Sequence, residues 1–337
     1  MVNRRLMLAF VCCLTLSATL TSVEADETVF DSQDTLDPGR ETIDDARACL
    51  EGLIWKPEKF QVTCATSRPG FDPALIHFPS PISTGIKSND TVAMEWFPAQ
   101  GNDRKPLKAP AVVVVHESGR AMTVGRIFAR GLQQKRLHAF LIHLPSYGIR
   151  RGDRRPDGSN ILQLMRQAIA DVRRARDAVS VLPFVDSSHI ALQGTSLGGF
   201  VSATAAGLDE GYDSVFLMLA GGDLFDLIQN GKRDTAKVRE RLEEAGLTSE
   251  DIRKLAEVIE PTRLAHRIDP SRTWLYSGKT DTVVPLKNAN VLAEAAKLKK
   301  PHHILMNANH YSGIVYLPFV LRHISDQIVS LREDESR

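Results

Sequence analysis

The chain has 337 residues, a formal net charge of +1 and 43% hydrophobic residues. This composition predicts a globular protein large enough for one extended α/β domain, and it excludes disorder over the whole chain. Because 42 basic residues are balanced by 41 acidic ones, bulk charge favours neither nucleic acid nor an anionic membrane as a partner. Specificity must therefore come from a local site.

The first 25 residues have the pattern of a secretory signal peptide. Arg4 and Arg5 precede an apolar run over residues 6–20, and Val23-Glu24-Ala25 places small residues at positions −3 and −1 of a cleavage site. The run is shorter than the roughly 20 apolar residues of a membrane span. We expect export to the periplasm or the cell exterior with no membrane span in the mature chain; an uncleaved N-terminal anchor is the alternative.

Four cysteines divide between this segment and the mature chain. Cys12 and Cys13 lie in the apolar run and are expected to leave with the peptide, whereas Cys49 and Cys64 remain. An oxidising compartment favours a disulfide between the last two. Two buried free thiols are the alternative, because sequence spacing does not give the distance between the Cα atoms.

Residues 26–45 are acidic and polar and include Asp37-Pro38-Gly39, a pattern that predicts a flexible leader or an arm that covers a partner. We assign 26–74 to an N-terminal extension, 75–332 to the main domain and 333–337 to a tail. From residue 75 onward, short apolar runs alternate with amphipathic stretches, which predicts a doubly wound α/β fold with a mostly parallel sheet. The predicted strands are 75–78, 91–97, 111–115, 138–144, 189–193, 214–219, 273–277 and 302–306.

Two helical stretches lie between these strands. Residues 161–181 form a long amphipathic helix, and its arginines are expected on a solvated face. Residues 223–264 are charged and helical in pattern, with stops at Gly246 and Pro261. This segment is a helical insertion after the sixth predicted strand, where insertions lie over the ligand-binding carboxyl edge of the sheet. The arginines of the long helix are Arg166, Arg173, Arg174 and Arg176.

The motif Gly194-Thr195-Ser196-Leu197-Gly198-Gly199 follows the strand 189–193 and precedes a helix of small residues, 200–206. A serine at a sharp strand-to-helix turn needs small neighbours, because larger side chains at Gly194 or Gly198 would clash. For the motif alone an ordinary glycine-rich turn is the alternative. The strand before it and the helix after it favour Ser196 as a nucleophile.

A serine hydroxyl needs a base to take its proton, and that base needs an acid that fixes its tautomer. Asp281 lies in the loop after the strand 273–277, and His310 lies in the loop after the strand 302–306. Both loops are expected at the same sheet edge as Ser196, in the chain order serine, acid, histidine. We therefore predict a triad of Ser196, Asp281 and His310.

Each partner of the serine has named competitors. Asp281 could instead stabilise its own turn as an Asx residue, and Asp223 could serve as the acid because it also follows a predicted strand. His302 and His303 compete with His310, but they lie at a strand start and are expected to be structural or exposed.

The same chemistry needs N–H donors for the oxyanion of the tetrahedral intermediate. Leu197, directly after the nucleophile, is expected to provide one donor through its backbone N–H. Ser118, in the loop after the strand 111–115, is expected to provide the second. His116 and Glu117 could cap the next helix without affecting this role.

The segments GTSLGG, SGKTDTVVP and ANHYSG resemble the three catalytic elements of the α/β-hydrolase superfamily, and VVVVHESG resembles its oxyanion loop. The similarity covers about residues 75–332. The glutamate in HES, which follows a strand, resembles the pattern of dienelactone hydrolases and related acyl esterases. Those hydrolases have cysteine where this chain has Ser196. Their particular substrate is therefore not assigned to this chain. The resemblance implies an α/β-hydrolase fold and a serine esterase that cleaves small-molecule or carbohydrate esters through an acyl-enzyme.

Two further sequence features bear on substrate specificity and on cofactors. Arg150, Arg151, Arg154 and Arg155 form a basic cluster that is expected to be a solvated surface loop; recognition of an acidic substrate such as a uronic-acid ester is the alternative. The chain has no metal-ligand spacing and no phosphate-binding loop, so we expect no metal and no cofactor.

Two other functions compete with an esterase. A prolyl-oligopeptidase-like peptidase is disfavoured because no propeller-sized domain precedes the hydrolase region, and a non-catalytic binding protein is disfavoured by the complete catalytic set. The oligomeric state has no sequence signal.

Overall fold

A computed structural model describes residues 26–66, 73–152 and 158–335. The predicted signal peptide with Cys12 and Cys13 lies outside the described residues, as do Arg154 and Arg155. Among the helices of the described ranges, none combines the length and the apolar character that crossing a bilayer requires.

The strands of the described residues form one sheet, in the order β1-β2-β3-β4-β6-β5-β7-β8-β9-β10. The six strands from β6 to β10 in this order pair in parallel, and β1 to β4 add an antiparallel side. This confirms the predicted doubly wound, mostly parallel sheet. The strands are β1 (Asp26–Gln33), β2 (Lys59–Thr66), β3 (Ala74–Pro79), β4 (Thr91–Phe97), β5 (Ala109–Val115), β6 (His138–His143), β7 (Val185–Thr195), β8 (Ser214–Met218), β9 (Thr273–Gly278) and β10 (His303–Met306).

Helices cover both faces of the sheet. On one face α4, α5 and α9 pack on a large apolar core, and on the other α3 and α10 pack on a second core. As predicted, α6, α7 and α8 are inserted between β8 and β9. The helices are α1 (Asp44–Glu51), α2 (Lys87–Asp90), α3 (Thr123–Gln134), α4 (Ile161–Ser180), α5 (Leu197–Ala206), α6 (Leu224–Asn230), α7 (Asp234–Glu244), α8 (Ser249–Val258), α9 (Leu286–Ala295) and α10 (Leu317–Glu335).

The valine run of β5 shows why the sheet is buried on both sides. Every residue of β5 is buried. Successive side chains of a strand point to opposite faces, so Val113 and Val115 enter the first core while Val112 and Val114 enter the second. The central position of β5 follows from this two-sided apolar character.

The expectation of a flexible leader over residues 26–45 was wrong. β1 pairs antiparallel with β2 along its whole length, and β2 pairs with β3, so the N-terminal extension forms the edge of the main sheet. The alternation of Phe60, Val62 and Cys64, which are all buried, is a period-2 signal for β2. The polar sequence of β1 carries no such signal, because an edge strand has few buried positions.

The arginines of α4 are not all on a solvated face, which corrects the prediction for two of them. Arg173 and Arg174 are buried. Arg174 forms two hydrogen bonds with the Asp34 carboxylate, at 2.9 and 2.5 Å, and Arg173 bonds Asp209 at 2.6 Å and Asp177 at 3.0 Å. Buried charges require such partners, and Asp34 supplies one from the N-terminal extension.

The basic loop after β6 also differs from the expectation of a solvated cluster. Arg150 is only 1% exposed and donates to Asp171 at 2.7 Å, because this carboxylate of α4 lies beneath the loop. Its main role is therefore structural. Arg151 is exposed, as expected.

Cys49 and Cys64 are buried free thiols, so the structure agrees with the second of the two interpretations of these residues. The Cys49 thiol donates to the Val258 carbonyl at 3.4 Å. Burial raises the pKa of Cys49 to about 11, which keeps the thiol protonated and unreactive.

Candidate active site

Ser196 lies at the sharp turn between β7 and α5, with φ 53° and ψ −116°. A Cβ atom at Gly198 would come within 2.2 Å of the Val115 carbonyl oxygen, and one at Gly194 within 2.3 Å of the Gly198 oxygen. A strained backbone conformation like that of Ser196 costs about 1–3 kcal/mol and persists only where the surroundings enforce it. The two glycines therefore allow the close packing that holds Ser196 in this conformation.

The structure brings Ser196, His310 and Asp281 into one hydrogen-bond chain. Ser196 Oγ lies 2.9 Å from His310 Nε2, and His310 Nδ1 lies 2.7 Å from Asp281 Oδ2. Both distances are within the reach required for proton transfer and for orientation of a base.

The environment of Asp281 explains which nitrogen of His310 donates a hydrogen bond and which accepts one. The side chain is buried, and its Oδ1 accepts hydrogen bonds from the backbone N–H groups of Val283 and Val284, at 2.8 and 2.9 Å. Asp281 therefore stabilises its own turn and also contacts His310, since its two oxygens serve different partners. With Nδ1 donating to Oδ2, Nε2 of His310 is left to accept the Ser196 hydroxyl proton.

The competing residues have other roles. Asp223 caps α6 and accepts from Asp226 N at 3.1 Å. His302 bonds the Thr273 carbonyl at 2.9 Å, and His303 bonds Ser277 Oγ at 3.0 Å. In the described ranges no three His, Cys, Asp or Glu side chains are grouped to hold a metal ion.

The candidate oxyanion donors lie on two sides of the serine turn. Leu197 is the first residue of α5, where a backbone N–H has no acceptor inside the helix. Ser118 is exposed in the loop after β5. The Glu117 carboxylate accepts from Val124 N and Gly125 N, both at 3.1 Å, and so caps the start of α3.

His116 fixes the peptide that carries the Ser118 N–H, a role that sequence reasoning missed. Its Nδ1 lies 2.6 Å from the Glu117 carbonyl oxygen, and its Nε2 accepts from Leu144 N at 3.1 Å. The Tyr147 hydroxyl donates to the Ser118 carbonyl at 3.3 Å, and its ring packs on His116 with centroids 4.7 Å apart. Because C=O and N–H point in opposite directions across a trans peptide, holding the Glu117 carbonyl sets the direction of the Ser118 N–H.

His116 also predicts a pH dependence of stability. Burial lowers its pKa from 6.5 to about 4, so between these values the unfolded chain binds a proton that the native protein does not. The free energy of unfolding should therefore fall as the pH falls from 6.5 towards 4, by roughly 3 kcal/mol from this group. Urea unfolding of wild type and His116→Gln at pH 7 and pH 4.5 measures it. An equally steep loss in both proteins would contradict the prediction.

The insertion contacts the loops that carry Asp281 and His310. Lys232 N donates to the Thr282 carbonyl at 3.2 Å, and Thr235 Oγ1 donates to the Val283 carbonyl at 3.1 Å. The Tyr311 hydroxyl donates to Asp234 Oδ2 at 3.0 Å. The junction of α6 and α7 thus packs directly beside the three hydrogen-bonded side chains.

Residues 160–315, a segment just short of half the chain, match the prolyl oligopeptidase family. No curated protein matches the chain in sequence. Among solved structures, an acetyl xylan esterase from Paenibacillus sp. R4 is 17% identical with a TM-score of 0.56, over 82% of this chain and 92% of the other. Acetyl xylan esterase 1 from Thermoanaerobacterium sp. JW/SL YS485 is 17% identical with a TM-score of 0.54, over the same shares of the two chains.

A puromycin-hydrolyzing peptidase from Mycobacterium tuberculosis is also similar, with 16% identity and a TM-score of 0.56, over 81% of this chain and 45% of the other. At these sequence identities the structural similarity establishes the fold. In this fold the serine turn follows the end of β7. Together with the segment that matches the prolyl oligopeptidase family, it confirms the resemblance first seen in the sequence motifs. The protein has the α/β-hydrolase fold.

Proposed function

We propose that this protein is a serine hydrolase that cleaves carboxylic esters through an acyl-enzyme intermediate. The observation that carries the proposal is the continuous hydrogen-bond chain from Ser196 through His310 to Asp281 at a strained strand-to-helix turn. Strain of this kind is concentrated at functional sites, and the order of the three groups matches the roles of nucleophile, base and orienting acid.

The geometry supports a two-step reaction. Ser196 Oγ attacks the ester carbonyl while His310 Nε2 takes its proton, and the Asp281 carboxylate stabilises the imidazolium that forms. The backbone N–H groups of Leu197 and Ser118 stabilise the oxyanion. His310 returns the proton to the departing alcohol. A water molecule, deprotonated by His310, then attacks the acyl-enzyme, and His310 gives that proton to Ser196 Oγ as the C–Oγ bond breaks and the acid is released.

A prolyl-oligopeptidase-like peptidase is the second candidate, because the family match covers the serine turn and both other triad loops. Amide and ester cleavage use the same groups and differ in the leaving group that His310 must protonate. The names of the two acetyl xylan esterases favour an ester of a small acyl group as substrate, and carbohydrate esters are included in this proposal.

Initial rates with an alkyl ester and with a proline-linked anilide test the choice between these candidates. We expect the wild type to hydrolyse ethyl acetate faster than alanyl-proline p-nitroanilide, and Ser196→Ala to lose at least about a thousandfold of that rate. A faster reaction with the anilide would make the protein a peptidase. A rate that is equal in wild type and Ser196→Ala would contradict a serine hydrolase altogether.

We also propose that residues 1–25 are removed on export, as their residue pattern indicates. N-terminal sequencing of the mature protein tests this: the first residue should be Asp26, and an intact Met1 would contradict cleavage.

A further inference from the structure

Arg233 is held in a strained conformation at the junction of α6 and α7. Its backbone has φ 57° and ψ −109°, a region that residues other than glycine rarely adopt. Hydrogen bonds fix the chain before and after Arg233 to the loop of Asp281. Lys232 N donates to Thr282 O at 3.2 Å, and Thr235 Oγ1 donates to Val283 O at 3.1 Å. These contacts impose the conformation that directs Arg233 toward the triad loops, and strain maintained in this way points to a function.

The guanidinium of Arg233 lies close to the candidate base. Its Cζ is 5.1 Å from the centroid of the Tyr311 ring, and that ring packs edge-on against His310 with centroids 5.7 Å apart. The two separations added together are the upper limit for the distance between the guanidinium carbon and the His310 ring. A substrate with a short chain of carbon atoms beside its reacting carbonyl can span this distance.

The charge of Arg233 is not neutralised by a carboxylate partner within the described part of the chain. The neighbouring Asp234 is occupied by Lys237 Nζ at 3.1 Å and by the Tyr311 hydroxyl at 3.0 Å. The Arg233 guanidinium also hydrogen-bonds to the Tyr311 side chain, but its five N–H donors leave others for a carboxylate, which arginine binds in a bidentate manner. Arg233 therefore combines an available charge, a supporting ring and a position beside the reacting groups.

From this placement we propose that Arg233 binds a carboxylate of the substrate. The preferred substrates are then half-esters, in which a second, ionised carboxyl group lies a few bonds from the ester that is cleaved. This inference rests on the proposed function and specifies its substrate class. It assigns selectivity to Arg233 of the insertion and not to the basic loop after β6, where Arg150 is already paired with Asp171.

Binding measured without turnover tests the inference. In a Ser196→Ala background, calorimetric titration with monoethyl glutarate and with diethyl glutarate compares a charged ligand with its neutral counterpart. We expect the half-ester to bind more tightly than the diester, and Arg233→Gln to weaken the half-ester by about tenfold or more while diester binding is retained. Retained diester binding also shows that the variant is folded.

Two further variants separate a specific contact from a general charge effect. Lys232→Gln removes the same charge from the adjacent exposed residue and keeps its backbone hydrogen bond to the Asp281 loop, and it should change half-ester binding less than threefold. Arg233→Lys keeps the charge but loses the planar fork, so an intermediate affinity is expected.

Several results would overturn the inference. These are equal binding of half-ester and diester, no half-ester binding at millimolar concentration, or equal losses in the Lys232→Gln and Arg233→Gln variants. The proposed function fails by a different result, the absence of Ser196-dependent hydrolysis of neutral esters by the wild type.

Discussion

Asp281→Asn should lower kcat by about 10³- to 10⁴-fold without unfolding the protein, because an amide in place of the carboxylate favours the wrong tautomer of His310. In the native site His310 Nδ1 lies 2.7 Å from Asp281 Oδ2, and an Asn NH₂ group at that position would donate to Nδ1 instead of accepting from it. Steady-state kinetics with the best ester measures the effect, and urea unfolding checks the fold.

Asp223→Asn is the matched control, since Asp223 was the competing candidate for the acid. Its side chain caps α6 through Asp226 N, and asparagine is an equally good N-cap residue. We expect kcat to change less than twofold. A larger loss in Asp223→Asn than in Asp281→Asn would assign the acid to Asp223 and contradict the triad described above.

Asp34→Ala should lower the free energy of unfolding by about 3–5 kcal/mol, because it leaves the Arg174 guanidinium buried without its main partner. Asp34 also accepts from Trp55 Nε1 and from Glu58 N, both at 3.0 Å, so the carboxylate joins α4 to the N-terminal extension. Urea unfolding followed by circular dichroism gives the difference between variant and wild type.

Two companion variants define what this loss means. Glu58→Gln removes another contact of Arg174, but the Glu58 side chain is 61% exposed, so a loss below about 1 kcal/mol is expected. In Asp34→Ala/Arg174→Met the unpaired charge is gone, and this double variant should be more stable than Asp34→Ala alone. If Asp34→Ala unfolds at the wild-type urea concentration, the N-terminal extension is not part of the main cooperative unit.

The parallel part of the sheet and the positions of the loops that carry Ser196, Asp281 and His310 could be predicted from the sequence because their signals are local. Four consecutive valines require burial on both faces of a strand, and the glycines around Ser196 are required by the packing of one turn. The loops of Asp281 and His310 follow strands of the same parallel sheet, so their positions at one edge follow from topology alone.

The features that escaped prediction depend on partners distant in sequence. Arg174 has the periodicity of an exposed residue, and it is buried because Asp34 lies 140 residues away in the chain and beside it in space. β1 forms only because β2 offers an open edge. The roles of His116 and Tyr147 depend on hydrogen bonds to backbone carbonyls, which leave no pattern in the sequence.

Ser196 should act as a nucleophile that His310 activates. Labelling with a fluorophosphonate probe, followed by mass spectrometry of the proteolysed protein, tests it most directly. We predict one adduct in the wild type, on the peptide that contains Ser196, no adduct in Ser196→Ala, and labelling slowed by at least about a hundredfold in His310→Gln. Adduct formation on a different residue, or no difference between wild type and Ser196→Ala, would contradict the account.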